Sequence, residues 1–418
     1  MLYSFSWCIV LPLMLLDIGV GHAPEECVKM CSPEARNTLS FGVALASSGD
    51  ALAVGALGTW PRDDEKYGSG KVFLYLLTEG EDEQLVDVLE SREESCKRMF
   101  GNSLFFEDGI LGVGAPSLKE ECSGIVSLYR FDGRKARHEQ TLVAPKEVDS
   151  RTFGASVAIE GEWLFVGSPG HRDDDAVGSV VVYRNEGHRF EIKQILRDHG
   201  HARGSRYGIS IATVSGQLII GSSCIELGRA DMYRLQHGQW IPTQTIMPNG
   251  EAEECGKFGM RIVAHGQFVA ISNYSGDAAG GESRERGRCT AAVWMYEIVH
   301  GHAIERGMLT PPQTERESYY GMSLSLLDNV LYVGDPTADW YNKGEGKVSD
   351  AVHVYKWRES SWELSNSIVR VHDGAIDEPA FGVSCHAMQN GFLAIGAIGA
   401  YPRRPRVPDP GCVFLHRR

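Results

Sequence analysis

The 418-residue sequence lacks the features of a helical or membrane-embedded protein. No segment of useful length shows the 3.6-residue apolar period of a helix, and no apolar run beyond the first residues approaches the twenty that span a bilayer. A net positive charge is absent too. The formal net charge is −14, which excludes binding to nucleic acid or to an anionic membrane through bulk electrostatics.

The usual sequence marks of an enzyme or a zinc site are also missing. There is no nucleophile elbow, no metal-ligating histidine pair and no phosphate-binding loop, and the cysteines show no pair-of-pairs spacing. Two groupings remain as catalytic candidates, namely His171 beside Asp173 and Asp335 with Asp339. Since such groupings arise readily among 55 acidic residues, we predict that the chain is not an enzyme.

The N-terminus reads as a secretory signal peptide over residues 1–23. The stretch "MLYSFSWCIVLPLMLL" holds about fifteen largely apolar residues, is stopped by Asp17 and is followed by small residues suited to cleavage. No basic residue precedes the apolar run, and Pro24 is a poor residue after a cleavage site, so an uncleaved anchor stays open as the alternative. We expect residues 24–418 to form one exported domain, and its nine remaining cysteines suit an oxidising compartment.

What the sequence does contain is one sequence motif that is repeated seven times. Each copy has an aromatic–glycine pair, alternating small and apolar residues, a short polar turn and an apolar run, usually ending in glycine. The copies follow one another at intervals of 51 to 62 residues. They begin at Phe41, Phe100, Phe153, Tyr207, Phe258, Tyr320 and Phe381.

Each copy predicts a four-stranded antiparallel meander. In the third, "GASVAI", "LFVGS", "SVVVYR" and "RFEIKQIL" are short period-two or β-branched runs separated by turn residues. Seven such sheets fit a seven-bladed β-propeller, in which radial stacking buries both faces of every blade.

The seventh copy ends after "CVFLHRR" and lacks a fourth strand, whereas "EECVKMCSP", upstream of the first copy, looks like one. We predict that this N-terminal strand completes the last blade, which closes the ring and removes two exposed sheet edges.

The stretches "FGVALASSGDALAVGA" and "FGASVAIEGEWLFVGSPG", the latter followed by "GSVVVYR", resemble FG-GAP repeats. These repeats build the seven-bladed propeller at the head of integrin alpha subunits. The resemblance covers residues from about 25 to 418. Copies four and five depart from the family, with "IIGSS" and "AISNY" where it has Gly-Ala-Pro, and copies four and six begin with tyrosine.

Loop lengths predict where a partner would bind. The turns between first and second strands are tight, whereas the loops between second and third strands are long, for example "GTWPRDDEKYGSG" and "PTADWYNKGEGKVSD". We call the side of the ring with these loops the long-loop face and the opposite side the short-turn face. Long loops on a rigid scaffold commonly carry binding sites, and this is also the ligand side of the integrin propellers that the chain resembles. The candidate partner-binding residues are Trp60, Tyr67, His171, Trp340, Tyr341 and Tyr401.

We predict no cofactor. Integrin propellers carry calcium in the turns between first and second strands, in loops of the Asp-x-Asp-x-Asp-Gly type. The matching turns here are too short and hold at most one or two acidic groups. The acidic loop formed by Asp173, Asp174 and Asp175 is a weak cation candidate, since aspartates in loops more often hold turns.

The predicted function is extracellular recognition or adhesion, with a protein or glycan partner bound at the long-loop face. Exposed tryptophan and tyrosine suit stacking on sugar rings or anchoring a protein. The alternative is a propeller-type glycoside hydrolase or lyase that acts on extracellular polysaccharide with paired carboxylates around the central channel.

Repeat symmetry predicts the disulfides. Cys96 pairs with Cys122 and Cys255 with Cys289, because each pair joins the entry of one blade to its long loop at equivalent positions. Cys412 pairs with Cys27 or Cys31 and clamps the ring. Cys224 and Cys385 are predicted to be buried thiols, and Asn273 opens a sequon for N-glycosylation, Asn-Tyr-Ser.

Overall fold

The structure is a computed structural model and describes residues 27–34, 38–58, 69–78, 80, 82–91, 98–117, 121–170, 177–187, 189–198, 205–223, 228–248, 257–273, 291–312, 319–336, 348–372, 380–398 and 411–418. Its strands form seven antiparallel sheets arranged as a β-propeller, which confirms the predicted fold class. Within those ranges no helix is long and apolar enough to cross a membrane.

Each sheet is one blade, numbered in chain order, and its strands run outward from the central channel. The innermost strands are β3 (Leu45–Ser48), β7 (Ser103–Glu107), β11 (Ser156–Glu160), β15 (Tyr207–Val214), β19 (Arg261–His265), β23 (Ser323–Leu327) and β27 (Ala380–Ala387). The second strands are β4 (Ala51–Gly58), β8 (Ile110–Ala115), β12 (Trp163–Ser168), β16 (Gln217–Ser222), β20 (Phe268–Ser272), β24 (Val330–Asp335) and β28 (Phe392–Ile398). The third strands are β5 (Lys71–Leu76), β9 (Ile125–Phe131), β13 (Ser179–Asn185), β17 (Arg229–Gln236), β21 (Val293–Val299), β25 (Val348–Arg358) and β29 (Cys412–Arg417). The outermost strands are β6 (Gln84–Glu90), β10 (Ala136–Val143), β14 (Phe190–Arg197), β18 (Gln239–Ile246), β22 (His302–Leu309), β26 (Ser361–His372) and, from the N-terminus, β1 (Cys27–Cys31).

The N-terminal strand completes the last blade, as predicted. The order of that sheet is β1-β29-β28-β27, and β1 pairs with β29 antiparallel along its whole length. A further short strand, β2 (Thr38–Leu39), adds to the end of β4 in blade one. The two ends of the chain therefore meet in one sheet.

The apolar core of the ring lies between its blades. Seven clusters of buried apolar side chains are present among the described residues, and each one joins two neighbouring blades. The cluster between blades seven and one includes Met30 of β1, so the N-terminal strand contributes to the core as well as to the sheet. Because each blade buries both faces, none of the seven could keep its apolar surface from water alone.

The aromatic–glycine pair of each copy is the point of contact with the preceding blade. The seven aromatic rings are no more than 1% exposed, and each following glycine has a φ between 83° and 93°, where a side chain would be strained. This conformation aims the glycine carbonyl at the second strand of the preceding blade. The carbonyl of Gly208, for example, would lie 2.2 Å from a Cβ added at Gly167.

The glycine near the end of each second strand is explained by that same approach. An added Cβ would lie 2.1 to 2.3 Å from the next blade's glycine carbonyl at Gly55, Gly114, Gly167, Gly221, Gly334 and Gly396. A serine on the innermost strand then donates its hydroxyl to that carbonyl, with oxygen–oxygen distances of 2.5 to 2.8 Å, at Ser103, Ser156, Ser210, Ser323 and Ser384. The repeat thus encodes a backbone contact that leaves no room for a side chain.

The structure of blade five explains why copy five reads "AISNY" and lacks the glycine of the other copies. Its second strand carries Ser272 in place of the glycine, and Arg261 stands in place of the innermost-strand serine. The Arg261 guanidinium donates to the carbonyl of Met322 in blade six, at 3.2 Å. Arginine thus supplies the link to the next blade that serine supplies elsewhere.

Glutamines link the blades at the outer rim. Gln140, Gln194 and Gln244 stand at a bulge in successive outermost strands. Each side chain donates to and accepts from the backbone of a single residue in the next blade, at 2.9 to 3.1 Å. The equivalent residue of blade five is Gly307, which has no side chain to make this link.

The seam between blades seven and one has its own polar contacts. The Ser384 hydroxyl donates to the carbonyl of Gly42, and the side-chain amide of Asn390 donates to Asp50 and to the Leu77 carbonyl. Ser47 Oγ lies 2.8 Å from His386 Nε2.

Burial lowers the pKa of His386 to about 4, and burial also lowers the pKa of His416 in β29 to about 4. Both histidines of the seam are therefore neutral at pH 7.

We predict that the seam makes the protein acid-sensitive. An unfolded histidine takes up a proton near pH 6.5, whereas these two resist protonation until about pH 4, so the unfolded state binds more protons between those values. Stability is complete above pH 6.5 and falls as the pH drops from 6.5 towards 4. Each histidine should lower the free energy of unfolding by up to about 2 kcal/mol between pH 7.5 and pH 4.5. The measurement is the urea midpoint at these two pH values.

His386→Gln provides the control, because glutamine can still hydrogen-bond Ser47 and does not titrate. The drop in midpoint between the two pH values should be smaller in this variant than in the unaltered chain. An equal drop in both proteins would show that His386 does not contribute to it.

Candidate functional site

The long-loop face is built by the spans between second and third strands. These spans cover residues 59–70, 116–124, 169–178, 223–228, 273–292, 336–347 and 399–411, whereas two residues separate first from second strands in six blades and four do so in blade seven. The predicted contrast between the two faces of the ring is therefore present. The partner-binding candidates Trp60, Tyr67, His171, Trp340, Tyr341 and Tyr401 and the acidic residues Asp173, Asp174 and Asp175 lie outside the described residues.

Two other predicted site residues on this face are described. Cys122 is disulfide-bonded, and its partner lies outside the described residues, as do Cys96, Cys255 and Cys289, so the two predicted pairings remain predictions. Asn273 is 1% exposed, and its Oδ1 accepts the N–H of Ala292 at 2.8 Å. A glycan needs a path to solvent, so this burial disfavours the predicted glycosylation in the folded chain.

A polar network crosses three strands of blade six beneath the long-loop face. His353 Nε2 lies 3.2 Å from Asp335 Oδ2, and His353 Nδ1 lies 2.8 Å from Ser367 Oγ. The carboxylate can only accept, so Nε2 carries the proton and Nδ1 accepts from the serine hydroxyl. Both His353 and Asp335 are largely buried, with 8% and 14% of their side chains exposed.

This network has two of the contacts that a serine nucleophile requires. A base within hydrogen-bond distance and a carboxylate that orients the base are both present, but an oxyanion also needs donors. Ser367 lies mid-strand, and its own N–H donates to Asn366 Oδ1 at 2.7 Å. The arrangement is better suited to anchoring the loop that starts at Pro336. The other member of the predicted pair, Asp339, lies outside the described residues.

The tyrosines that begin copies four and six belong to such networks. Tyr320 OH donates to Tyr355 OH at 2.8 Å, and the Tyr320 ring lies 5.8 Å from that of His353. In blade four, Tyr207 OH lies 2.6 Å from Tyr233 OH.

Blade four carries a charged network at the equivalent level. Asp231 occupies the register position of His353, accepts from Thr245 at 2.7 Å and accepts from Arg229 at 3.0 Å. Arg229 also binds Asp198, which is buried. Tyrosine thus replaces phenylalanine in the two blades whose third strand carries His353 or Asp231 at this level.

The short-turn face carries a group of carboxylates at the end of the central channel. Glu107 and Glu160 are the last residues of innermost strands in adjacent blades. The pKa of Glu107 is raised, first by burial and then by the charges of Asp108 and Glu160. Although Glu107 is exposed, a side chain at a channel mouth can touch water and still be surrounded by protein. Glu160 Oε1 accepts the N–H of Gly216 at 3.1 Å.

Among the described residues, no three His, Cys, Asp or Glu side chains are placed to hold a metal ion together. What the described polar groups offer is proton chemistry, because the pKa of the Glu107 carboxyl is raised by burial and by neighbouring carboxylates.

Sequence reasoning missed His353, Ser367, Glu107 and Glu160. An alignment of the seven copies could have found the glutamates, because both occupy the last position of an innermost strand. The His353 network depends on the register among three strands, which the sequence does not display.

No protein-family model matches the chain, and no curated protein matches it. The resemblance to FG-GAP repeats and to integrin propellers therefore remains a prediction.

Solved structures of similar fold do exist. One is a protein from Lactobacillus plantarum, with a TM-score of 0.53 and 13% sequence identity over 88% of this chain and 99% of that one. Another is a protein from Bacteroides uniformis, described as a putative 6-phosphogluconolactonase, with a TM-score of 0.53 and 11% identity over 88% of this chain and 99% of that one. At such identities the likeness concerns the fold alone.

The second of these structures overturns the prediction that the chain is not an enzyme. That prediction used the absence of local catalytic motifs, yet a protein described as a putative 6-phosphogluconolactonase has the same type of fold. The reason is physical: a propeller assembles groups from different blades, so no compact motif need appear in the sequence.

We predict that the tyrosine pair of blade six is energetically coupled. Tyr320→Phe should cost about 1 kcal/mol, because it leaves Tyr355 OH with only a long contact to the Thr310 carbonyl, at 3.5 Å. Adding Tyr355→Phe should cost little more. Urea unfolding of the two single variants and the double variant measures the coupling, and additive losses would contradict it.

Tyr183→Phe in blade three is the matched control. Tyr183 OH is buried and has no hydrogen-bond partner among the described residues, so its removal should leave stability unchanged or slightly raised.

Proposed function

We propose that this chain is an exported recognition module, an FG-GAP-type propeller similar to that of integrin alpha subunits. Its partner is an extracellular protein or glycan bound at the long-loop face. The proposal rests on the fold together with the sequence of the loops.

The observation that carries the proposal is the unequal length of connections on the two faces. Every blade runs in the same direction, so all seven spans between second and third strands emerge on one face, and they range from 6 to 20 residues. On the opposite face, the turns between first and second strands are two to four residues long, and those between third and fourth strands are two to seven. Long connections on a rigid ring provide surface that can vary while the scaffold stays fixed.

The polar networks of blades four and six support this assignment. Both networks lie at the ends of strands that lead into or out of the long loops. Their buried side chains fix these strand ends through ion pairs or hydrogen bonds. Asp335 ends β24 immediately before the 336–347 span, and Arg229 begins β17 immediately after the 223–228 span. Fixed loop ends reduce the conformational entropy that binding would otherwise cost.

Export is part of the proposal. Residues 1–23 have the pattern of a signal peptide, and Cys122 is disulfide-bonded, as is usual in secreted proteins. The net charge of −14 disfavours nucleic acid and anionic membranes as partners, which leaves proteins and glycans.

A glycoside hydrolase that acts on extracellular polysaccharide is the second candidate, and the carboxylates around the central channel favour it. Glycosidases pair a carboxyl of raised pKa, which donates a proton to the leaving oxygen, with an ionised carboxylate. Glu107 has the raised pKa, and Glu160 is the second carboxyl, whose charge is one cause of that shift.

We predict that Trp60→Ala with Trp340→Ala weakens partner binding about tenfold or more and leaves the thermal midpoint nearly unchanged. Tryptophan side chains provide large contact areas at interfaces, so their truncation removes more binding free energy than that of most other residues. Binding is measured on a glycan array and by pull-down from extracellular material, with the same ligands for both proteins.

Leu364→Ala is the control, because Leu364 is 46% exposed on an outermost strand, away from the long loops. It should bind as the unaltered chain does. A large fall in midpoint for the tryptophan variant would identify packing residues instead, and an array without signal together with an empty pull-down would contradict the recognition function.

For the hydrolase, we predict that Glu107→Gln and Glu160→Gln each abolish sugar release from a polysaccharide panel. Hydrolysis of 6-phosphogluconolactone is assayed separately, because the Bacteroides uniformis propeller is described as a putative 6-phosphogluconolactonase. Glu162→Gln, which removes an exposed carboxylate bound to Arg184, should retain activity. Absence of turnover by the unaltered chain on every substrate would eliminate this candidate.

A further inference from the structure

We propose that Cys31 and Cys412 form a disulfide that locks the N-terminal strand onto the last blade, while Cys27 remains a thiol against His416. The two bonding sulfurs lie on β1 and β29, the strands that close the ring. The inference does not depend on what the long-loop face binds.

The pairing follows from strand register. Cys31 lies directly opposite Cys412, and the two Sγ atoms are 3.2 Å apart. Facing residues on antiparallel strands have Cα separations of about 4.5 or 5.5 Å, and disulfides span about 4.4 to 6.8 Å. At 3.2 Å the sulfurs are in contact rather than joined, since an S–S bond is about 2.05 Å long, but rotation of the side chains is enough to join them.

The same register excludes Cys27 as the partner of Cys412. Cys27 faces His416, and its Sγ lies 3.4 Å from His416 Nε2. Cys27 lies four positions before Cys31, which places it about 13 Å along the strand from Cys412. That distance is beyond the reach of any disulfide. Burial also raises the pKa of Cys27 to about 11, so its thiol stays protonated and unreactive.

Exposure determines the order of the reaction. Cys31 is exposed, whereas Cys412 is only 5% exposed. The Cys31 thiolate attacks oxidised glutathione and releases one glutathione thiolate. The Cys412 thiolate then attacks the Cys31 sulfur of the mixed disulfide and releases the second. Two cysteine thiols are oxidised, one glutathione disulfide is reduced to two thiols, and the two protons pass to the released thiolates.

The bond would convert a closure made of weak contacts into a covalent one. Without it, the seam is held by the pairing of β1 with β29, the Ser384–Gly42 bond and the side chains of Asn390 and His386. Since the bond closes a loop of 381 residues in sequence separation, it restricts the unfolded chain more than a short-range bond would.

Peptide mapping tests the pairing directly. The full mature chain is equilibrated with oxidised or reduced glutathione, alkylated and digested without reduction. We expect a cross-linked peptide that contains Cys31 and Cys412 in the oxidised sample, with Cys27 alkylated after denaturation. A Cys27–Cys412 peptide, or an alkylated Cys412 in the oxidised sample, would overturn the proposal.

Thermal unfolding adds a second readout. Oxidation should raise the midpoint of the unaltered chain by roughly 5 °C relative to Cys31→Ser in the same glutathione buffer, so that other disulfides affect both proteins equally. Under reducing conditions the two proteins should unfold alike, which shows that the variant is folded. Cys27→Ser should keep both the cross-linked peptide and the full shift. A shift that persists in Cys31→Ser would contradict the assignment.

Discussion

The contact on which this structure depends is the approach of one glycine carbonyl to another glycine in the neighbouring blade. The carbonyl belongs to the aromatic–glycine pair, and the second glycine lies near the end of a second strand. At Gly167 an added Cβ would lie 2.2 Å from the Gly208 oxygen, so no other residue fits without a shift of backbone. Repetition of this distance around the ring gives the blades one spacing and one direction, which in turn places every long loop on one face.

At the seam, the same contact is made by residues from opposite ends of the chain. Gly396 of the last blade receives the carbonyl of Gly42 in the first, and an added Cβ at Gly396 would lie 2.3 Å from it. The strand β1 then completes the sheet and contributes Met30 to the core between blades seven and one. Closure is therefore the same contact as elsewhere, with a strand supplied from far away in the sequence. Cys27, Cys31, Cys412 and His416 of the seam lie on β1 and β29, two paired strands from opposite ends of the chain.

Features that recur in every copy were predictable from the sequence, because each reports a requirement that all blades share. The buried aromatic ring, the glycine with positive φ and the short first turn are of this kind, and so is the missing strand in copy seven, which its partner at the N-terminus explains. A contact that occurs in one blade leaves no such trace. The choice between Cys27 and Cys31 needed the register of β1 against β29. The network of Asp335, His353 and Ser367 needed three strands in place.

The prediction about catalysis failed for a related reason. It relied on local motifs, whereas groups such as Glu107 and Glu160 lie on adjacent blades and influence each other only when those two blades pack together. The aromatic candidates on the long loops, among them Trp60 and Trp340, were chosen from loop length and residue type. That reasoning identifies a face of the ring and does not place individual side chains on it.

The central claim is that a backbone contact without side chains joins six of the seven pairs of neighbouring blades, the seam included. It is tested most directly by urea unfolding of Gly167→Ala and Gly396→Ala beside Gly161→Ala, a turn glycine with no atom within 4 Å of the added Cβ. The account predicts similar losses of about 3 kcal/mol for the first two variants and about 1 kcal/mol for the third, whose φ of 57° strains alanine. If Gly396→Ala unfolds like the unaltered chain while Gly167→Ala does not, the ring is not closed by this contact.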